Sequence, residues 1–272
     1  MQIAFVGNEN KISVYSKIIQ NALLASQDAK SSICGVFSQN IETTANLALE
    51  INTKAYISLD DIIEDADIIF VCQPDSSLVA FSEYIKEKRI KGKIFCHFGS
   101  KYDSAVLSCG ITNTCYSMSF PYTFLSLSDF RSICVCFEGE GKRAHEFEAA
   151  MKAIFPKAVF CSRSDKRLAS IASRVLTDYI KVVVNMSIKF FKFSGLYDEE
   201  SFCALASHSI KDAMSSHSLC KLKRRSESEV KKDLRLLTAI NYTGTKDFYK
   251  SMEAYIAVND TSSVTSKKEF SK

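Results

Sequence analysis

Two hydrophobic periods alternate along residues 1–162, and no other feature of the chain restricts its fold so tightly. Short apolar runs recur: IAFVG (Ile3 to Gly7), SICGVF (Ser32 to Phe37), AYI (Ala55 to Ile57), DIIFVC (Asp67 to Cys72) and KIFCHF (Lys93 to Phe98). TCYSMSF, SICVCF and KAVFC continue the series. Runs this short and this apolar suit strands buried on both faces of a parallel sheet. Between them the period switches to that of a helix, as in Val14, Ile18, Ile19, Ala22 and Leu23, then Ile41, Ala45, Ala48 and Leu49. Leu78, Val79, Phe81 and Ile85 repeat the pattern, and a further helix is predicted from Arg143 to Ile154. Ser58 precedes LDDIIEDA, a hydroxyl N-cap with acids in the first turn. Strand-helix alternation predicts a doubly wound α/β sheet with right-handed crossovers.

Near Ser162 the rhythm changes. From Asp165 to Phe193 there is neither Gly nor Pro, and Leu168, Ile171, Ala172, Val175, Leu176, Tyr179, Ile180, Val183 and Val184 recur at helical spacing. One long helix is predicted there, with Gly195 as its C-cap. Further helices are expected near Glu199–Ser216, Glu227–Ile240 and Lys246–Ile256. The division is therefore a sheet domain over 1–162, an all-helical C-terminal domain over 163–257 and a solvated tail over 258–272. A long apolar stripe in so small a helical domain cannot bury itself, so a homodimer joined through the C-terminal helices is expected.

Composition excludes several classes. A net charge of +4 is too mild for a nucleic-acid footprint. The basic stretch KLKRRSESEVKKDLR interleaves Glu227, Glu229 and Asp233 without aromatics, the mark of a solvated helix face. Of the 10 cysteines, Cys72, Cys96, Cys115, Cys134, Cys136 and Cys161 sit in strand-like runs, where cysteine acts as a small hydrophobe. No C-x-x-C pair occurs, so neither zinc nor another metal is expected. The chain starts on a core strand without a signal-peptide pattern and has no apolar run long enough to span a bilayer. A cytoplasmic location is expected.

Ligands of open α/β sheets bind beyond the carboxyl ends of the strands. Those ends carry Gly7-Asn8-Glu9-Asn10, Ser38-Gln39, Cys72-Gln73-Pro74, Phe98-Gly99-Ser100 and Phe120-Pro121-Tyr122. A dinucleotide fingerprint would read G-x-G-x-x-G, whereas this chain has Gly7, Glu9 and Ile12 at those places. Asn8 and Asn10 tolerate the positive φ that such a turn uses. Glu9 opposes a diphosphate: a carboxylate about 6 Å away costs roughly 3 kcal/mol at an effective dielectric of about 20. The tip of the second strand has no acid, which argues against NAD-type ribose recognition.

The order of elements resembles the superfamily of β-hydroxyacid dehydrogenases and pyrroline-carboxylate reductases. Within it the likeness is to Rossmann-like proteins with a C-terminal helical domain of unknown function, classed as NADP-dependent or deazaflavin-dependent oxidoreductases. ADIIFVCQPDSSL (Ala66 to Leu78) looks like ADLVFLTVPDDAI, and GKIFCHFGSKYDSAVL (Gly92 to Leu107) looks like GKIVVHCSGALSSDVL. SFPYTF (Ser119 to Phe124) stands where the family has HPLQTF, and SDKRLASIASRVLTDYI (Ser164 to Ile180) lies over EDRRLYHAAAVFASNYL. His97 matches a family histidine, while Ser119 and Ser170 replace histidines and Asp178 replaces an asparagine.

The resemblance implies NADP as cofactor. Gly7, Asn8, Glu9, Asn10, Ser38, Gln39, Cys72, Gln73, Pro74, Gly99 and Ser100 would line its site, and Ser38-Gln39 stands where the family often has Ser-Arg. The catalytic candidates are His97, Ser119, Ser170 and Asp178. His97 either polarises a substrate or packs in the strand with a backbone hydrogen bond. Asp178, among apolar neighbours, is either a base of raised pKa or a structural hydrogen-bonder. Lys181 and Asn185 form a K-x-x-x-N reminiscent of hydroxyisobutyrate-type dehydrogenases, although the family register does not fall there. Two functions stay open: hydride transfer to a small carbonyl or imine at an interdomain cleft, or a catalytically degenerate dimeric nucleotide-binding or scaffold protein.

Overall fold

The computed structural model describes residues 1–26, 30–99, 101–107, 112–120, 134–215, 225–239 and 243–259. Its core is an eight-stranded sheet in the order β3-β2-β1-β4-β5-β6-β7-β8. The strands are β1 (Gln2–Gly7), β2 (Ser32–Phe37), β3 (Lys54–Ala55), β4 (Ile68–Cys72), β5 (Ile94–Phe98), β6 (Thr114–Ser119), β7 (Val135–Glu140) and β8 (Ala158–Phe160). Every residue of β4 and β5 is buried, as their unbroken apolar runs require of central strands. β1 pairs in parallel with both β2 and β4, so the order of winding reverses between β1 and β4.

The far edge departs from an all-parallel sheet. β7 runs antiparallel to β6, with Tyr116 opposite Gly139, and β8 then pairs in parallel with β7. A Cβ at Gly139 would lie 2.1 Å from the Cys115 carbonyl oxygen, so only glycine admits this pairing.

Helices α1 (Glu9–Ser26), α2 (Ile41–Glu50) and α5 (Ala144–Ile154) cover one face, burying Ile18, Leu47 and Phe147 against Phe5, Phe70, Phe98 and Phe137. Helices α3 (Leu59–Asp65) and α4 (Asp75–Glu87) cover the other, with Ile62, Leu78 and Phe81 on Val6, Val71 and Phe95. Each such side chain contributes about 1.5–3 kcal/mol through removal from water. Ser58 caps α3 as its sequence predicts, accepting from the Asp61 amide, and Asn40 caps α2 from Thr43.

Beyond the sheet, α6 (Arg163–Arg174) opens with Ser162 as its N-cap, accepting from the Asp165 amide at 3.2 Å. The single helix expected from Asp165 to Phe193 is instead α6, a π-helical turn (Val175–Tyr179) and α7 (Ile180–Phe193). Two compact units meet in sequence at Asp178 and Tyr179. Periodicity divides the chain at 162/163, whereas the first compact unit also includes α6, whose Lys166 is only 5% exposed.

The second unit holds α7, α8 (Glu199–Ser215), α9 (Glu227–Ala239) and α10 (Thr243–Asn259). Gly195, with φ +72°, follows the last turn of α7, and its amide donates to the Lys192 carbonyl, as a C-terminal cap should. Among the described residues, no helix is long and apolar enough to cross a membrane. The predicted tail lies outside the described residues from 260 onward.

Candidate functional site

Where the winding reverses, the chain ends of β1 and β4 part and a cleft of about 470 Å³ opens. Its floor is Gly7, Asn8 and Glu9 on one side and Gln73 and Pro74 on the other. Leu59, Phe81 and Tyr84 give it an apolar wall, and Gln39 reaches it from the end of β2.

Gly7 makes the close approach of the two strands possible. Its φ is +133°, and a Cβ there would stand 2.8 Å from the Cys72 carbonyl carbon. The Asn8 amide donates to the Cys72 carbonyl at 3.1 Å, which locks the turn to β4. Asn8 Oδ1 then accepts from the Lys11 amide, so asparagine serves here as the cap of α1. Glu9 lies at the head of this 18-residue helix, where the macrodipole favours its carboxylate. A cation stands near it: Lys11 Nζ donates to the Gln73 carbonyl at 2.8 Å, on the rim of the same cleft. Periodicity alone gave no sign of Lys11, because its role depends on Gln73, 62 residues away.

The remaining cofactor-site candidates divide. Gln39, Gln73 and Pro74 line the cleft, and Asn10 is exposed on the first turn of α1. Cys72 is fully buried at the end of β4, and burial pushes its thiol well above the ordinary range. Ser38 is 3% exposed and its hydroxyl already serves the β2–α2 turn, facing Thr44 Oγ1 at 2.8 Å and donating to the Asn40 carbonyl. Its part is therefore structural: it shapes the tip from which Gln39 projects. Gly99 closes β5, its amide donating to the Met118 carbonyl, and Ser100 lies outside the described residues.

Among the described residues no hydrogen bond joins one catalytic candidate to another. His97 is fully buried in β5 and its Nε2 lies 3.0 Å from the Asp103 carbonyl. Burial holds the imidazole below its ordinary pKa, and among the described residues Nδ1 has no hydrogen-bond partner. Ser119 ends β6, half-buried, paired with Cys136 of β7. Ser170 turns its hydroxyl back onto the Lys166 carbonyl at 3.0 Å. Asp178 is exposed in the π-helical turn, which overturns the expectation of a partly buried carboxyl there. The helix there presents its apolar positions to solvent as well, so apolar neighbours in sequence give no burial.

One of the candidates, His97, does join a converging set. Pairing places His97 beside Ser117 and Ser117 beside Glu138, a polar row across β5, β6 and β7. Lys166, from α6, donates to Ser117 Oγ and to the Gly99 carbonyl at 3.2 Å. Glu138 accepts from the Ser104 amide and hydroxyl at 2.9 and 2.8 Å. Burial lowers the Lys166 pKa, and Glu138 opposes that shift. Sequence reading missed Lys166 because a lysine in the first turn of an amphipathic helix looks solvated; the only available signal was its place directly before the apolar stripe.

No protein-family profile and no curated protein sequence matches the chain. Solved structures do match in fold. Protein TM1727 of Thermotoga maritima superposes with a TM-score of 0.68 at 15% identity, over 94% of this chain and 98% of its own. An imine reductase of Myxococcus stipitatus, solved in complex with NADP+, gives 0.59 at 13% identity, over 94% and 93%. An imine reductase of Streptomyces aurantiacus gives 0.60 at 10% identity over the same shares. The fold read from sequence, a Rossmann sheet followed by a helical C-terminal region, is the one these proteins share with this chain.

Proposed function

We propose that the cleft between the ends of β1 and β4 binds a nicotinamide dinucleotide and that the protein transfers hydride to a small carbonyl or imine. The observation that carries this reading is the cleft itself, at the winding reversal where open α/β sheets take their ligands. Gly7 and Asn8 would hold the backbone close to a diphosphate at the start of α1. Leu59, Phe81 and Tyr84 offer a flat apolar wall suited to an adenine ring. Lys11 at the rim offsets part of the repulsion from Glu9. With no acid at the tip of β2 and Gln39 exposed there, NADP(H) is favoured over NAD(H). When bound, the nicotinamide would supply the hydride. The likeness to an imine reductase solved with NADP+ supports the same reading.

The cytoplasm is the location this chemistry suits. The oligomer proposed with it is a homodimer: Ile171, Val175, Leu176, Tyr179, Val182 and Val183 are each at least 41% exposed along α6, the π-helical turn and α7. An apolar stripe of that length needs a partner surface. The direct test is titration of the purified protein with NADPH and NADH, following nicotinamide fluorescence. Saturable micromolar binding, tighter for NADPH, is the expected result. Absence of binding by either nucleotide, with the fold intact by circular dichroism, would remove the enzyme reading.

A further inference from the structure

Away from that cleft, between the segment after β5, Glu138 of β7 and the first turns of α6, lies a second and smaller polar cavity of about 40 Å³. We infer that this cavity is a binding subsite for a single carboxylate group of a small molecule. It does not depend on the cofactor reading, since none of its lining residues belongs to the β1/β4 cleft.

Charge is the first ground. Lys101, Arg163, Lys166 and Arg167 line the cavity with Asp103 and Glu138, four cations against two acids. Arg163 pairs with Asp103, and Glu138 is held by Ser104. Lys166 is 5% exposed and gives its hydrogen bonds to neutral oxygens, those of Gly99 and Ser117. Lys101 has the Tyr102 ring, its ammonium 5.0 Å from the centroid. Among the described residues no carboxylate lies within ion-pair distance of Lys101, Lys166 or Arg167. A buried ammonium that gives its hydrogen bonds only to neutral oxygens, with Glu138 and Asp103 acting on it from the same cavity wall, is incompletely compensated. An anion in the adjoining cavity adds to that compensation.

Size and shape are the second ground. A single water needs about 10–15 Å³, so the cavity takes a few atoms and no more. A carboxylate is planar, and its two oxygens match the guanidinium fork of Arg167. A phosphate dianion is larger and would meet the two acids in the wall.

The test uses the full chain and two isosteric probes, propionate and propionamide, followed by amide chemical shifts in nuclear magnetic resonance. Propionate should produce saturable shifts, with a dissociation constant in the low millimolar range, at the amides of 101–103 and 163–170. Propionamide should produce none there. Arg167 and Lys101 are both exposed, so Arg167→Gln and Lys101→Gln keep the fold. Arg167→Gln should weaken propionate at least fivefold, and Lys101→Gln about twofold. Equal responses to the two probes, unchanged affinity in both variants, or tighter binding of inorganic phosphate than of propionate would each overturn the inference. Nucleotide binding is read separately by fluorescence, so either reading can fail while the other stands.

Discussion

The two units of this chain bury their apolar residues to very different degrees. In the sheet unit, Phe5, Phe70, Phe95, Phe98 and Phe137 are each at most 2% exposed, and each face of the sheet has its own helices. In the helical unit, Leu237 is the one buried hydrophobic among the described residues, while Val182, Val183, Phe193, Leu205, Ile210, Leu236 and Tyr255 are exposed. Both are rich in apolar side chains. The difference is that a sheet closes its core within one chain, whereas a few amphipathic helices leave a stripe uncovered. The described sheet unit covers its own core, and the exposed apolar positions of the helical unit are what the proposed homodimer would cover.

The strongest challenge to that contrast is a core truncation. Phe70→Ala should cost the sheet unit about 3–5 kcal/mol, the range for removing a buried aromatic. Hydrogen exchange is the measurement, because it reports the units separately. Protection of the β4 and β5 amides should fall sharply in the variant at any protein concentration. Protection in α8 to α10 should instead rise with concentration in the wild type. Concentration-independent protection there would refute the need for a partner.

Gly7→Ala comes next. The residue must adopt positive φ and would place a methyl against the Cys72 backbone, so a loss of roughly 2–4 kcal/mol is expected together with loss of nucleotide binding. Denaturant titration reads the first effect and nicotinamide fluorescence the second. If the proposed dimer forms, Val183→Asp, which puts a charge on the exposed stripe of α7, should give a monomer in light scattering and leave the melting of the sheet unchanged. Loss of sheet stability in that variant would show that the stripe serves the same chain instead.

Two smaller effects sharpen the account of the sites. Glu9→Gly removes a repulsion of a few kcal/mol, partly offset by Lys11, so NADPH should bind about tenfold more tightly. Weaker binding would mean that Glu9 contacts the ligand rather than opposing it. His97 gives a pH dependence: its folded pKa lies below the ordinary value, so the unfolded chain takes up the proton first. Its contribution is therefore complete above about pH 6.5 and is lost as pH falls below that, at up to about 1.4 kcal/mol per pH unit. In His97→Gln the midpoint denaturant concentration should fall less steeply between pH 6.5 and pH 5.

Much of the fold was legible in the sequence. β2 falls on SICGVF as expected, Ser58 caps α3, Gly195 follows α7, and α8 and α9 start at the predicted Glu199 and Glu227. The candidate sites were legible only in part. Gly7, Asn8, Glu9, Gln39, Gln73 and Pro74 do gather at one cleft, since strand ends follow from the strands. Ser38 does not offer its hydroxyl, because a neighbouring threonine in α2 takes it. Asp178 is exposed, and so are its apolar neighbours Val175, Leu176 and Tyr179, so apolar sequence around a carboxyl did not mean burial.

What the sequence determined by itself is whatever residues a few positions apart decide: periodicity, caps and the points where helices stop. Such features rest on i, i+2 and i, i+4 neighbours and need no knowledge of the rest of the chain. The antiparallel return of β7, the burial of His97 and the meeting of Lys166 with Ser117, 49 residues earlier, were decided only when the strands paired and α6 docked. A lysine's local pattern is the same in water or in a polar pocket, and the pocket exists only once distant segments have closed around it.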